Sequence, residues 1–353
     1  MKSFVDLDKT FADQPRELGV LLARIDTGRG REQLFEDQAP ALLQQLAESA
    51  RIASITASNA IEGVVVEGET AERIAQGSGR FRNRNEREFA GYRDATDSLM
   101  HGEKSEPPTV PFALHLHRLL FQHTTARGGY LKTDQNLIVS YEGGHRETIF
   151  TPSSPEETEF LLTELLARYG EAKRDDRTHP LLLIAALVLD FLAIHPVADG
   201  NGRLARLLTL HELLGCGYGV ARYISVEQLI FESKNSYYAS LYESQRGWHQ
   251  GEHRIWSWTT YFARILEGAY GAFEDRVGAA DQQGSKQHRV REYVLSRGPR
   301  EFRRRDVERA LPDISDATVR LVLNELRLEK LIEAEGPGRG ARWRRLHPHA
   351  SAD

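Results

Sequence analysis

The segment from Pro180 to Ile194, PLLLIAALVLDFLAI, is apolar on nearly every helical face and carries one charge, Asp190. A helix that is apolar all round has to be wrapped by other elements, so this one predicts a helical core with itself at the centre. Its uninterrupted run, Leu181 to Leu189, is too short for a bilayer, which takes about 20 residues. The segment runs directly into His195-Pro196-Val197-Ala198-Asp199-Gly200-Asn201-Gly202-Arg203-Leu204-Ala205-Arg206. Pro196 and the two glycines stop the helix and form a tight loop. Leu204, Leu207, Leu208 and Leu210 then restart helical spacing, which ends near Gly215.

That loop has the chemistry of a phosphate site. Consecutive backbone N–H groups of Gly200, Asn201 and Gly202 at a helix N-terminus make an anion cradle, and glycine lets a phosphate come close. Arg203 and Arg206, three residues apart, are expected to project from one face and grip further phosphate oxygens. Asp199 offers a hard oxygen ligand of the kind Mg²⁺ takes together with phosphates. His195 is suited to remove a proton from a hydroxyl near neutral pH. Competing explanations are ordinary Asp-Gly and Asn-Gly turns and a structural histidine at a helix end. An EF-hand is excluded because Arg203 and Leu210 fall on ligand positions, and no P-loop pattern is present.

Elsewhere helical periodicity dominates, and the fold class is mainly α. Gln44 to Glu62 spaces Leu46, Ala50, Ala53, Ala57 and Ile61 for one face. Phe112 to Phe121 and Glu156 to Tyr169 also read as helices, the latter with a Ser154 cap and Pro155. Asn136 to Tyr141, a Glu142-Gly143-Gly144-His145 turn and Thr148 to Thr151 predict a β-hairpin. Gln76 to Arg87 is basic and glycine-bearing, as loops are. The single cysteine, Cys216, excludes a disulfide framework and a Cys-based zinc cluster. The N-terminus lacks the apolar stretch of a signal peptide, and the default expectation is a soluble cytoplasmic protein without a membrane partner.

Residues 195–206, HPVADGNGRLAR, resemble the signature of the Fic family, His-Pro-Phe-x-Asp/Glu-Gly-Asn-Gly-Arg-x-x-Arg. Every polar position and both glycines match; Val197 stands where the family has Phe and is expected to pack into the core. The resemblance implies a protein adenylyltransferase that moves AMP from ATP onto a Ser, Thr or Tyr hydroxyl of a target protein. It makes His195 the general base and Asp199 the holder of Mg²⁺. Gly200, Asn201 and Gly202 become the cradle of the α- and β-phosphates, with Arg203 on the phosphates and Arg206 on the γ-phosphate. The hairpin resembles the family's flap, which holds the target as an added strand. Tyr237-Tyr238-Ala239-Ser240-Leu241 resembles a family segment on the adenine side, which implies Tyr237 and, after it, Gln245 as contacts; the alternative is an aromatic stripe in the core.

Ser58-Asn59-Ala60-Ile61-Glu62-Gly63 resembles the family's inhibitory motif, which implies Glu62 pairing with Arg206 and Ser58 bracing the helix. Two rival functions stay open: a de-AMPylase that uses Glu62 to orient water, and a transcription regulator with a nucleotide-sensing Fic core. Gly202 disfavours the phosphorylating relatives, whose pattern has Lys there. A homodimer is a family-level expectation.

Composition shifts near residue 280, where 278–284 is small and polar like a linker. From 285 to 346 there are 16 Lys and Arg against 10 Asp and Glu, in a chain whose formal net charge is −5. Ser285 to Arg297, Arg304 to Leu311 and Asp316 to Lys330 read as three helices. They are followed by a strand at Leu331 to Glu333, a turn at 336–340 and a strand at Ala341 to Trp343. The order resembles a winged helix-turn-helix domain. Its partner is either DNA, through phosphate contacts with Thr318, Arg320 and Asn324 as groove contacts, or another protein. The expected domains are 1–105 with the inhibitory motif, 106–277 as catalytic core, and 285–346.

Overall fold

The computed structural model describes residues 2–38, 40–100, 108–142, 145–336 and 341–346. It divides into two compact units, Met1–Phe273 and Glu274–Asp353. The first is helical, with one hairpin. Its helices begin with α1 (Leu7–Thr10), α2 (Arg16–Gln38), α3 (Pro40–Ile61), α4 (Gly68–Ala75), α5 (Arg84–Met100) and α6 (Val110–Phe121). Strands β1 (Ile138–Glu142) and β2 (His145–Phe150) follow, then α7 (Pro155–Asp175), α8 (Pro180–Ile194) and α9 (Asn201–Gly215). The short α10 (Val220–Tyr223) and α11 (Val226–Glu232) lead to α12 (Lys234–Gln245) and α13 (Trp256–Glu292).

Every residue of α8 from Leu181 to Ile194 is buried, as its composition requires. α7, α9 and α12 pack on it, while α3 packs against α5, α10 and α11. The lone charge of α8 is satisfied internally. Asp190 accepts from the Ser3 N–H at 2.9 Å, the Ser3 hydroxyl at 2.8 Å and the Trp248 indole N–H at 2.6 Å. No helix among the described residues is long and apolar enough to cross a membrane.

The hairpin is antiparallel, pairing Val139 with Thr148 and Ile138 with Phe150 across an irregularity in register. It is longer than its sequence suggests because pairing begins at His145; the Gly143-Gly144 turn lies outside the described residues. The basic stretch 76–87 is not all loop, since α5 begins at Arg84. α5 and α6 lie in close contact, and an added Cβ at Gly91 would stand 2.1 Å from the Leu120 carbonyl oxygen.

In the second unit α13 ends at Glu292 and a π-helical turn spans Tyr293–Arg297. Residues 278–284 are therefore helical rather than a linker: glutamine, alanine and aspartate there tolerate a helix already propagating from Trp256. Next come β3 (Glu301–Arg303), α14 (Arg304–Ala310), α15 (Asp316–Leu328), β4 (Ile332–Glu335) and β5 (Arg342–Arg345). The three strands form one antiparallel sheet with β5 in the middle. Val319, Val322, Leu323 and Leu326 of α15 meet Val290, Val294, Phe302, Val307 and Ile332 in a small core of its own. Of the expected turn at 336–340, residues 337–340 lie outside the described residues.

Gly91→Ala is expected to lower the stability of the first unit by about 1–3 kcal/mol through the clash with the α6 backbone. Helix propensity alone would raise it by up to about 1 kcal/mol. The sign, read from urea unfolding, separates the two.

Candidate active site

The site is built on the junction between α8 and α9. The last carbonyls of a helix lack intrahelical donors, and here that end is buried. The His195 N–H bonds the Phe191 carbonyl at 2.9 Å, and His195 Nδ1 reaches the Leu192 carbonyl at 3.2 Å. The Ser153 N–H serves Ala193 at 3.3 Å, and Lys132 Nζ serves Ile194 at 2.9 Å. His195 itself sits in the left-handed region, φ 54°. A carbonyl can only accept, so Nδ1 carries the proton and Nε2 keeps its lone pair. Burial, with the charge of Lys132 in support, lowers the His195 pKa to about 4, which leaves the ring neutral at pH 7.

The loop that follows is tied down carbonyl by carbonyl. The Lys132 N–H donates to Pro196 at 2.9 Å. The Asn201 side chain accepts from the Val197 N–H at 3.0 Å and returns a bond to the Val197 carbonyl at 2.7 Å. Asn136 Nδ2 donates to Val197 at 3.0 Å and Ala198 at 3.3 Å. His117 accepts from the Gly129 N–H on Nδ1 at 3.0 Å, so its Nε2–H donates to the Asp199 carbonyl at 3.1 Å. Burial holds His117 near pKa 4, matching that neutral tautomer. Val197 is fully buried, where a core side chain was expected. Gly200 adopts φ 84°, a conformation glycine takes without strain, and turns the chain into α9.

Beside this junction lies a cavity of about 500 Å³. His195, Asp199, Gly200, Asn201, Gly202 and Glu62 line one part of it. Ile138, Val139, Ile149 and Phe150 of the hairpin line another, and Tyr237, Tyr238, Leu241, Tyr242 and Gln245 of α12 a third. Tyr237 is both a wall residue and part of an aromatic cluster, 5.7 Å from Trp258 and 6.1 Å from Tyr261 between ring centroids. Tyr242, outside the segment 237–241, also lines the cavity; its spacing with Tyr238, Leu241 and Gln245 on one face of α12 was the available signal.

Arg206 is buried against α3. Its Nε donates to the Ser58 hydroxyl at 2.7 Å, and its Nη2 to the Ser58 carbonyl at 3.0 Å and to Glu62 Oε1 at 2.9 Å. Its Nη1 is buried without a hydrogen-bond partner. Gly63, at φ 79°, ends α3 and leaves Glu62 at the helix terminus facing the N-terminus of α9. A Cβ on Gly202 would lie 2.1 Å from Glu62 Oε1 and 3.2 Å from Arg206 Nη1. The Glu62 carboxylate therefore already occupies the anion position that the helix end and the guanidinium create.

Arg203 goes elsewhere. It is buried, donates to Glu88 Oε2 at 2.7 Å, and lies 5.4 Å from the Phe121 ring centroid, off the cavity wall. The expectation that both arginines project from one face fails because residues three apart point about 60° apart on a helix. Arg203 turns to α5, and Arg206 to α3. Glu88 also pairs with Arg84, whose Nη2 is 3.6 Å from Asp199 Oδ2.

ATP fits these residues: a glycine-lined helix N-terminus opens on the cavity, and the Arg206 guanidinium, with one unpartnered nitrogen, is buried beside Gly202 and Glu62 of its wall. Asp199 is the hard oxygen donor on its wall. Among the described residues no group of three or more His, Cys, Asp or Glu side chains converges to hold a metal. One carboxylate completed by phosphate oxygens and water is a normal Mg²⁺ donor set.

With this geometry in place, the comparisons bear on its class. The Fic/DOC family model matches residues 107–213. The protein adenylyltransferase Fic of Drosophila melanogaster is 32% identical over 111 residues, 31% of this chain and 20% of that protein. The chain thus matches about a fifth of the length of such curated relatives. A Fido domain-containing protein of Dictyostelium discoideum is 30% identical over 88 residues, 24% of this chain and 62% of that one. The crystal structure of a Fic family protein from Desulfovibrio desulfuricans superposes with a TM-score of 0.63 at 21% identity, covering 95% of this chain and 98% of that one, which shows the shared fold.

Arg203→Met is expected to cost up to about 3–5 kcal/mol by leaving the buried Glu88 carboxylate with only the exposed Arg84 as partner, and adding Glu88→Leu to recover most of it. Urea unfolding checks this. An Arg203 that served phosphate alone would leave the midpoint where it was.

Proposed function

We propose that this protein is an adenylyltransferase that moves AMP from ATP to a Ser, Thr or Tyr hydroxyl of a protein, and that Glu62 holds it in check. What carries the assignment is one cavity lined by a neutral histidine, a glycine-opened helix N-terminus and the Glu62 carboxylate that pairs with the buried Arg206, beside a hairpin edge. The target segment lies along β1–β2 as an added strand, which brings its hydroxyl toward His195. Nε2 of His195 takes the hydroxyl proton as the oxygen attacks the α-phosphorus. The new O–P bond forms as the bond to the β-phosphate oxygen breaks, and pyrophosphate leaves. The N–H groups at the start of α9 hold the α- and β-phosphates and Arg206 the γ-phosphate. Mg²⁺, held through Asp199, would supply charge neutralisation for the departing pyrophosphate. The cluster of Tyr237 and Tyr238 with Gln245 suits an adenine ring.

Glu62 competes for the γ-phosphate place, because its carboxylate sits on Arg206 at the α9 terminus. Glu62→Gly is expected to raise auto-modification with α-labelled ATP at least about tenfold, the effect of freeing about 1.4 kcal/mol of guanidinium for phosphate. His195→Ala in that background is expected to abolish it. γ-Label on protein would indicate phosphorylation instead. No label from either nucleotide would favour a sensing role. The reverse hydrolysis, in which Glu62 orients water, would be lost in Glu62→Gly.

For the second unit we propose a winged helix that contacts protein. Arg320 pairs with Asp316, which also faces Arg304, and Asn324 accepts from Arg327 at 2.7 Å, so these side chains are engaged within the unit. Thr318 is bonded to Ser315 at 2.9 Å. Leu321 and Leu328 are meanwhile 45% and 71% exposed on α15. A gel-mobility assay with random duplex at low salt is expected to show no shift; a salt-dependent shift would restore DNA as the partner.

A further inference from the structure

We infer that Lys132 is a positioning residue for His195, fixing the backbone on both sides of the base with its main chain on one side and its ammonium on the other. The inference rests on the transfer chemistry proposed above. Lys132 donates its backbone N–H to the Pro196 carbonyl at 2.9 Å and its Nζ to the Ile194 carbonyl at 2.9 Å. The carbonyls that flank His195 are thus both bound by one residue, delivered from the segment between α6 and β1.

Lys132 is only 4% exposed. Lysine is rarely buried, and an ammonium held by a neutral carbonyl is poorly compensated for lost water. A purely structural position of this kind would be better filled by an apolar side chain of the same length. The side chain has a specific task instead. His195 occupies the left-handed region, which non-glycine residues keep only where the surroundings over-determine it. Its own ring secures Nδ1 to Leu192, within the same helix end. The Ser153 N–H holds the Ala193 carbonyl from outside α8, and without a second anchor at Ile194 the helix end next to the base can fray and carry the ring with it. Lys132 supplies that second anchor, and its positive charge also meets the negative end of the α8 dipole. Asn136, four residues further along the same segment, continues the grip at Val197 and Ala198. Base and phosphate cradle are therefore held to one frame by the chain that leads into the hairpin.

The test uses the full chain with Glu62→Gly as parent and three readouts. These are auto-modification rate against ATP concentration, affinity for a non-hydrolysable ATP analogue, and hydrogen exchange of the amides at 195–200. Lys132→Met is expected to slow the rate at saturating ATP about 10- to 100-fold, the effect of misplacing a reacting group by about 1 Å. Half-saturation and analogue affinity are expected to stay within about twofold, since the phosphate-binding groups are untouched. Exchange at 195–200 is expected to rise, and Lys132→Arg, which keeps a charged donor, to regain most of the rate. An unchanged rate, a loss that falls on affinity alone, or an arginine variant as slow as the methionine one overturns the inference. If Lys132→Met does not fold, Lys132→Gln, whose shorter side chain stops short of the Ile194 carbonyl, is read by the same outcomes. If the parent transfers no AMP, it is the adenylyltransferase assignment that fails. Hydrogen exchange then decides Lys132 alone, and unchanged protection in the variant overturns it.

Discussion

The structure depends on a buried helix end. α8 is wrapped on all sides, so its last carbonyls cannot be left to water, and each unpaired one would cost about 1–3 kcal/mol. They are bonded instead by His195, which follows the helix, and by two groups from distant parts of the chain, Ser153 before α7 and Lys132 before the hairpin. Satisfying that terminus forces the segments around residues 132 and 153 to converge on it. These flank the hairpin on either side, so the hairpin is placed over the same spot. The position of the base, the phosphate cradle and the strand edge thus follows from one requirement of backbone hydrogen bonding.

The second constraint is how two arginines on one helix turn divide between neighbours. Arg206 meets acceptors on α3, namely the Ser58 hydroxyl and carbonyl and the Glu62 carboxylate, yet one of its nitrogens stays unbonded. Arg203 also keeps one buried nitrogen, Nε, without a hydrogen-bond partner, so that feature does not set the two apart. Arg203 is paired with Glu88, which is as buried as it is, and ties α9 to α5. The two arginines differ in whether the facing carboxylate is enclosed, as Glu88 is, or stands at the cavity edge, as Glu62 does.

Much of this was legible in the sequence because it rests on local signals. The apolar α8, the Ser154 cap of α7, and the glycine-rich turn into α9 are set within a few residues of chain. Ser58 and Glu62 could be named because they match a short motif that the resemblance supplies, and not from their spacing alone. What stayed hidden is long-range. Ser3 bonds Asp190 across 187 positions, and nothing near the N-terminus announces it. His117, Lys132 and Asn136 are scattered polar residues whose importance lies in the carbonyls they reach. Arg203 was misplaced because a motif specifies residue types and not the partners that neighbouring helices present. The helical course of 278–284 was missed because small polar residues are weak evidence against a helix already under way.

Val197 shows how the backbone carries the signature. Its side chain is fully buried, while its N–H and carbonyl are both engaged by the Asn201 side chain and its carbonyl also by Asn136. The polar work at this position is therefore done by the main chain, which is the same for valine and phenylalanine. The side chain has only to fill a space in the core, and neighbouring packing can adjust to its volume. Asn201 has no such latitude. It must accept from one N–H and donate to one carbonyl of the same residue while its own N–H opens α9, a combination its amide supplies and a carboxylate does not. The tolerance of one position and the strictness of the other follow from which atoms the loop uses.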